Sequence, residues 1–100
     1  MPTVYITVPP ADADALAETL VAERVAACVN QVACESTYRW DGEIVQEPEV
    51  VLFAKTSDAR YEELVEVVLA AHPHDVPCIE RIDEADVLEE YAEWRDSVVA

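Results

Sequence analysis

One hundred residues make a single domain, because one core of this size is usual and two would each be marginal. Twenty-two acidic residues against six basic ones leave a formal net charge of −16, which excludes nucleic acid and anionic membranes as partners, both carrying the same sign. Hydrophobic residues make up 52% of the chain, enough for a real core, yet the longest apolar runs (Val50 to Ala54 and Val67 to Ala71) are far too short to span a bilayer.

Thr3 to Val8 is rich in β-branched residues and is stopped by Pro9-Pro10, so it reads as a strand. Met1 and Pro2 lead straight into it without the basic start of a signal peptide, and the cytoplasm is the expected compartment. Asp12 and Asp14 mark a helix N-terminus, and Leu16, Leu20 and Val21 form the apolar face of a helix ending near Arg24. From Cys28 to Trp40 the chain favours strand, Asp41-Gly42 signals a two-residue hairpin turn, and Glu43 to Lys55 returns as a second long strand. Pro48 within it predicts a bulge or an unpaired edge.

Thr56, Ser57 and Asp58 offer caps for a second helix with Tyr61, Leu64, Val65, Val68 and Leu69 along one side, ending before His72-Pro73. Cys78 to Ile82 is a short strand. Asp83 to Asp86 then leads into a third helix carrying Val87, Leu88, Tyr91, Trp94 and Val98 at three- or four-residue spacing. The order β-α-β-β-α-β plus a helix predicts an α+β domain with the ferredoxin-like split motif.

The central strands are about 13 residues each, roughly 43 Å at 3.3 Å per residue. A compact domain of this length is only about 33 Å across. The hairpin tip, about Tyr38 to Glu47, should project beyond its own core, and an edge carrying Tyr38 and Trp40 needs cover from a partner chain. The alternative is a hairpin bent back onto its own sheet.

The 9 acidic and 2 basic residues of the first half and the 13 and 4 of the second spread the charge along the whole chain. Such a surface repels itself at low ionic strength, and concentrated salt screens it within a few ångströms, which points to a halophilic host that accumulates salt. A dedicated cation sponge is the weaker reading, because the carboxylates follow helix faces.

Several stretches resemble the CutA divalent-cation-tolerance family, here in an acidic, haloarchaeal-type form. Ala27-Cys28-Val29-Asn30 is similar to the start of its second strand, and Ser36-Thr37-Tyr38-Arg39-Trp40-Asp41-Gly42 to its hairpin. Glu49, Leu52 and Lys55-Thr56 fit the returning strand, His72-Pro73 and Val76-Pro77 the loop before the fourth, and Tyr91 and Trp94 the closing helix. His74 stands where the family usually has Tyr, and Cys78 where it has Glu. The resemblance implies a homotrimer packed through long hairpins, similar in shape to the nitrogen-regulatory PII proteins. It also implies an association with copper and other divalent metals, with no obligatory cofactor.

His72, His74, Cys28, Cys34 and Cys78 are the soft donors available, suited to copper or zinc rather than calcium or magnesium. Cys28 and Cys34 lie about 20 Å apart on an extended strand and do not share an ion within one chain. His72, His74 and Cys78 surround a proline-stiffened loop and are expected to bind a soft metal weakly, with a further Cys from the same or a neighbouring chain. The alternative is a turn histidine and a buried cysteine.

Lys55, the one lysine, either pairs with Glu49 or another carboxylate, or meets a small ligand in a cleft between subunits. Tyr38, Trp40, Glu49 and Trp94 are the residues expected to line such a cleft, if they are not simply packing. Ser36 and Ser57 lack triad partners and the single glycine rules out a phosphate loop, so no enzyme is expected. An acylphosphatase-type anion cradle would need Gly and Arg where Pro9-Pro10-Ala11 stands. A PII-like signalling module answering to an unidentified protein partner is the alternative function.

Overall fold

The structure is a computed structural model describing residues 2–100. In chain order the elements are β1 (Pro2–Val8), α1 (Pro10–Ala22), β2 (Cys28–Trp40), β3 (Glu43–Lys55), a 3₁₀ turn (Asp58–Arg60), α2 (Tyr61–Ala71), β4 (Ile79–Asp83) and α3 (Glu89–Val99). The sheet runs β2-β3-β1-β4 with every neighbouring pair antiparallel, the ferredoxin-like arrangement.

Strand alternation builds the core. Val4, Ile6 and Val8 of β1 and Leu52 and Ala54 of β3 are buried on one face. Leu16 and Leu20 of α1 and Leu64 and Val68 of α2 close over them. Val21 and Leu69, expected on the apolar stripes, are instead about half exposed, because each lies at the margin of its helix face.

Helix α1 begins two residues before the expected Asp12, since Pro10 occupies an N-terminal position where no backbone donor is missed. It closes at Ala22 on Arg24 in the left-handed region (φ 59°), with the amides of Arg24 and Val25 donating to the carbonyls of Val21 and Leu20. Arg60 reaches across to the Glu23 and Arg24 carbonyls, placing a cation at the negative end of the helix.

The hairpin is straight and long. Its register is unbroken from Cys28 opposite Lys55 to Trp40 opposite Glu43, and Asp41 and Gly42 both take positive φ (51° and 81°) as a tight two-residue turn requires. No bulge forms at Pro48, which sits in register opposite Glu35. Strand β1 pairs with β3 only from Val50 to Lys55, so Pro48 lies where that neighbour has ended, and an edge there has no ladder bond to lose. Residues 43–49 therefore have only β2 beside them among the described residues. The molecule is 45 Å long and 26 by 20 Å across, which excludes the folded-back alternative.

Two helix starts differ from expectation. Among the described residues no side chain caps α2, because the chain first makes the 3₁₀ turn, and the Thr56 hydroxyl is buried without a partner. Helix α3 starts at Glu89, with Leu88 at its N-cap 72% exposed. Its buried face is Arg95 and Val99, while Trp94 is half exposed beside Tyr91. The helix is rotated from the apolar stripe because Arg95 turns inward to Glu84, with Nη1 donating to Oε1 at 2.9 Å. Among the described residues no helix is long and apolar enough to cross a membrane.

Candidate functional site: a carboxylate and aromatic cavity on the open sheet face

The residues alternating with the core face the other way, and at the hairpin end they line an open cavity of about 720 Å³ bordered by the loop at 73–76. Tyr5 and Thr7 come from β1, Tyr38 and Trp40 from β2, Glu47 and Glu49 from β3. Cys78, just before β4, and Glu80 within it complete the floor, with His74 on the rim.

Tyr38 and Glu47 form a diagonal cross-strand pair, the phenol donating to Glu47 Oε1 at 2.5 Å. That bond to a carboxylate holds the phenolic proton and pushes its pKa up to about 12. Tyr5 is also raised, by burial first and then by the negative charge of neighbours that include Cys78, Glu80 and Glu49. Glu49 is 6% exposed and makes no hydrogen bond or ion pair among the described residues.

The donors proposed for a soft metal are placed apart. His72 is buried, and both ring nitrogens are engaged: Nδ1 accepts the His74 amide at 3.1 Å and Nε2 donates to the Thr7 carbonyl at 2.7 Å. It pins the loop to β1 and has no lone pair to spare. Cys28 lies opposite Lys55 at the base of the hairpin, and Cys34 opposite Glu49 with its sulfur 3.9 Å from the Ser36 hydroxyl. Only His74 and Cys78 reach the cavity. The Cys78 thiol donates to Glu80 Oε1 at 3.6 Å, and burial, then the Glu80 charge, raises its pKa, which disfavours the thiolate a metal needs. Among the described residues no three or more His, Cys, Asp and Glu converge on a point where a metal would sit. The donors of one chain do not make a closed metal site.

This geometry makes Cys78 a slow nucleophile. Iodoacetamide at pH 8, followed by mass spectrometry, is expected to label Cys78 more slowly than the same segment as a free peptide. Glu80→Gln should speed the reaction a few-fold by removing the neighbouring charge. Equal rates in all three would show that Glu80 has no hold on the thiol.

Of the residues expected in a ligand cleft, Tyr38, Trp40 and Glu49 come together, while Lys55 and Trp94 line no part of this cavity. Within one chain Lys55 does not reach Glu49, because six residues along one strand put them about 20 Å apart. Its amino group has no ion pair among the described residues. Tyr5, Thr7, Glu47 and Glu80 were not anticipated. For Tyr5 and Thr7 the signal was present: positions alternating with Val4, Ile6 and Val8 belong to the opposite face.

The sequence profile of the family described as CutA1 divalent ion tolerance protein matches residues 2–98. The divalent-cation tolerance protein CutA of Thermus thermophilus is 44% identical over 93 residues, 91% of this chain and 90% of that protein. Among solved structures, the PII-like protein CutA from Nostoc sp., in apo form, superposes with a TM-score of 0.96 at 30% identity, covering 100% of this chain and 98% of that one. A CutA from Archaeoglobus fulgidus, described as a periplasmic divalent cation tolerance protein, gives 0.95 at 32% identity over 99% and 98%. With its profile matched almost end to end and its fold shared with these relatives, the chain belongs to the CutA1 divalent ion tolerance family.

Proposed function

We infer that this chain works as a homotrimeric, non-catalytic cation-responsive module, its hairpins sheltered against sister chains and its ligand seat in the cavity on the open sheet face. The observation that carries this reading is the projecting hairpin, with Trp40 52% and Ile44 67% exposed on its two faces beyond the reach of its own core. An exposed hairpin of this kind calls for cover by a second copy of the chain, and three copies are what the likeness to the CutA family implies. The charge of −16 fits a salt-accumulating cytoplasm, and the three cysteines are free thiols.

For a soft divalent metal or copper(I), the cavity offers the two-donor pair His74 and Cys78, with any third donor supplied from outside the chain. Copper(I) titration is expected to show weak binding that falls at least tenfold in a His74→Ala/Cys78→Ser variant, the order of effect for losing ligands of a sparse site. His72 is left intact because it pins the loop. Equal affinities in the two proteins would remove metal binding from this site.

A second reading, a PII-like module that binds a small organic ligand, is favoured by the cavity itself. Its size lies within the range of small-molecule sites, and its lining includes the carboxylate-bearing Glu47, Glu49 and Glu80 beside three aromatic rings.

A further inference from the structure

Cys28 and Lys55 face each other across the base of the hairpin. They are partners in the β2–β3 register, so their side chains leave the same face of the sheet. The β-carbons of such partners stand about 4.5–5.5 Å apart, a gap the flexible four-carbon stem of lysine easily covers. Among the described residues no ion pair of the chain holds the amine elsewhere.

Both residues are half-buried. Tyr91 of α3 lies beside the thiol, close enough that Cys28 adds to burial in raising the phenol's pKa. A molecule the size of hydrogen peroxide reaches the sulfur, while α3 restricts bulkier reagents.

A thiol oxidised to sulfenic acid condenses with a nearby thiol or nitrogen. Cys28 has no thiol in range. Cys34 is six residues further along the same strand, about 20 Å, and Cys78 stands at the head of β4, three strand spacings or about 14 Å from β2. A disulfide needs α-carbons within about 7 Å. The nucleophile the fold does supply is the amine of Lys55, the one lysine of the chain.

We propose that Cys28 and Lys55 form a peroxide-driven covalent clasp at the foot of the hairpin. Hydrogen peroxide transfers one oxygen to the thiol, giving sulfenic acid and water. The neutral Lys55 amine then attacks that sulfur, a sulfur–nitrogen bond forms, and the S–O bond breaks. Hydroxide leaves with a proton from the amine as a second water. The chain has lost two hydrogens overall. A dithiol reverses the step by attack on sulfur, restoring thiol and amine as it becomes a disulfide. The clasp closes residues 28–55 into a covalent loop and fastens the start of β2 to the end of β3.

The full chain in molar potassium chloride is treated with a few equivalents of hydrogen peroxide, denatured without reductant, and read by mass spectrometry. The expected product is a single-chain mass short by two hydrogens, with fragments joining Cys28 to Lys55. Dithiothreitol should restore the original mass. The link should persist in Cys34→Ser/Cys78→Ser. Its yield should fall about tenfold or more in Lys55→Arg, where Cys28 runs on to sulfinic acid. Wild-type Cys28 that reaches sulfinic acid with Lys55 unmodified would overturn the proposal. So would a denatured mass of two chains, or an equal yield of the two-hydrogen loss in Lys55→Arg.

Discussion

If the chain assembles as proposed, replacing Trp40 and Ile44 together by aspartate should convert a trimer of 11.1-kDa chains into a folded single chain. The two side chains sit on opposite faces of the hairpin, Trp40 opposite Glu43 and Ile44 opposite Arg39 in register. Both lie past Val50, where β1 stops supporting β3, so neither belongs to the core of Val4, Ile6, Leu52 and Leu64. The substitution therefore leaves the monomer's packing intact while putting charge on the surface that a sister chain would cover. Each side chain of this size that a seam buries contributes about 1.5–3 kcal/mol, and in the proposed trimer the losses would recur at each seam. Sedimentation equilibrium in molar potassium chloride, where self-repulsion of the acidic surface is screened, reads the mass directly. A wild type that sediments as one folded chain would end the trimer reading, and a variant that keeps the full mass would move the seam away from the hairpin. Far-ultraviolet circular dichroism should be the same for both proteins.

The second large effect is expected at Arg95. Its side chain is fully buried and meets Glu84 through a single hydrogen bond at 2.9 Å, with Asp96 3.8 Å from Nε. Among the described residues, Nε and Nη2 of the guanidinium and Oε2 of Glu84 have no hydrogen-bond partner. Arg95→Ala removes one member of a buried pair and strands the other, a change that costs about 3–5 kcal/mol. Arg95→Met with Glu84→Gln keeps the volume and removes both charges, and it should be neutral or stabilising. Made in the Trp40→Asp/Ile44→Asp background, where assembly does not enter the equilibrium, urea unfolding should separate the two variants by several kcal/mol. Equal stabilities would mean that the pair is already solvated and that α3 is held by Val99 and its neighbours instead.

The register of the hairpin and the open face of the sheet bear on function together. The strand that carries Leu52 and Ala54 inward carries Glu47 and Glu49 onto the other face, and it outruns its neighbour β1 by the seven residues 43–49. One structural feature thus creates both the exposed tip and the walls of the cavity. Cys78 and His74 enter that space only because His72 ties the intervening loop to the Thr7 carbonyl. The residue that looked like a metal ligand is the one that positions the others.

Local chemistry in the chain was enough for the elements and their order. β-Branched alternation marked β1, Asp41-Gly42 dictated the turn, and the lengths of β2 and β3 required a hairpin longer than the domain. The motifs around Trp40 and His72-Pro73 carried the family, and Tyr38, Trp40 and Glu49 were recognisable as a group because they share one face of one hairpin. What only the tertiary structure decided lies between elements far apart in sequence. Tyr5 and Glu80 join the cavity, and α3 turns Arg95 rather than Trp94 inward. Periodicity reports which residues share a face, because that follows from the backbone of each element alone. Which face meets which neighbour depends on register and on distant charges such as Glu84, and these act only once the sheet has been assembled.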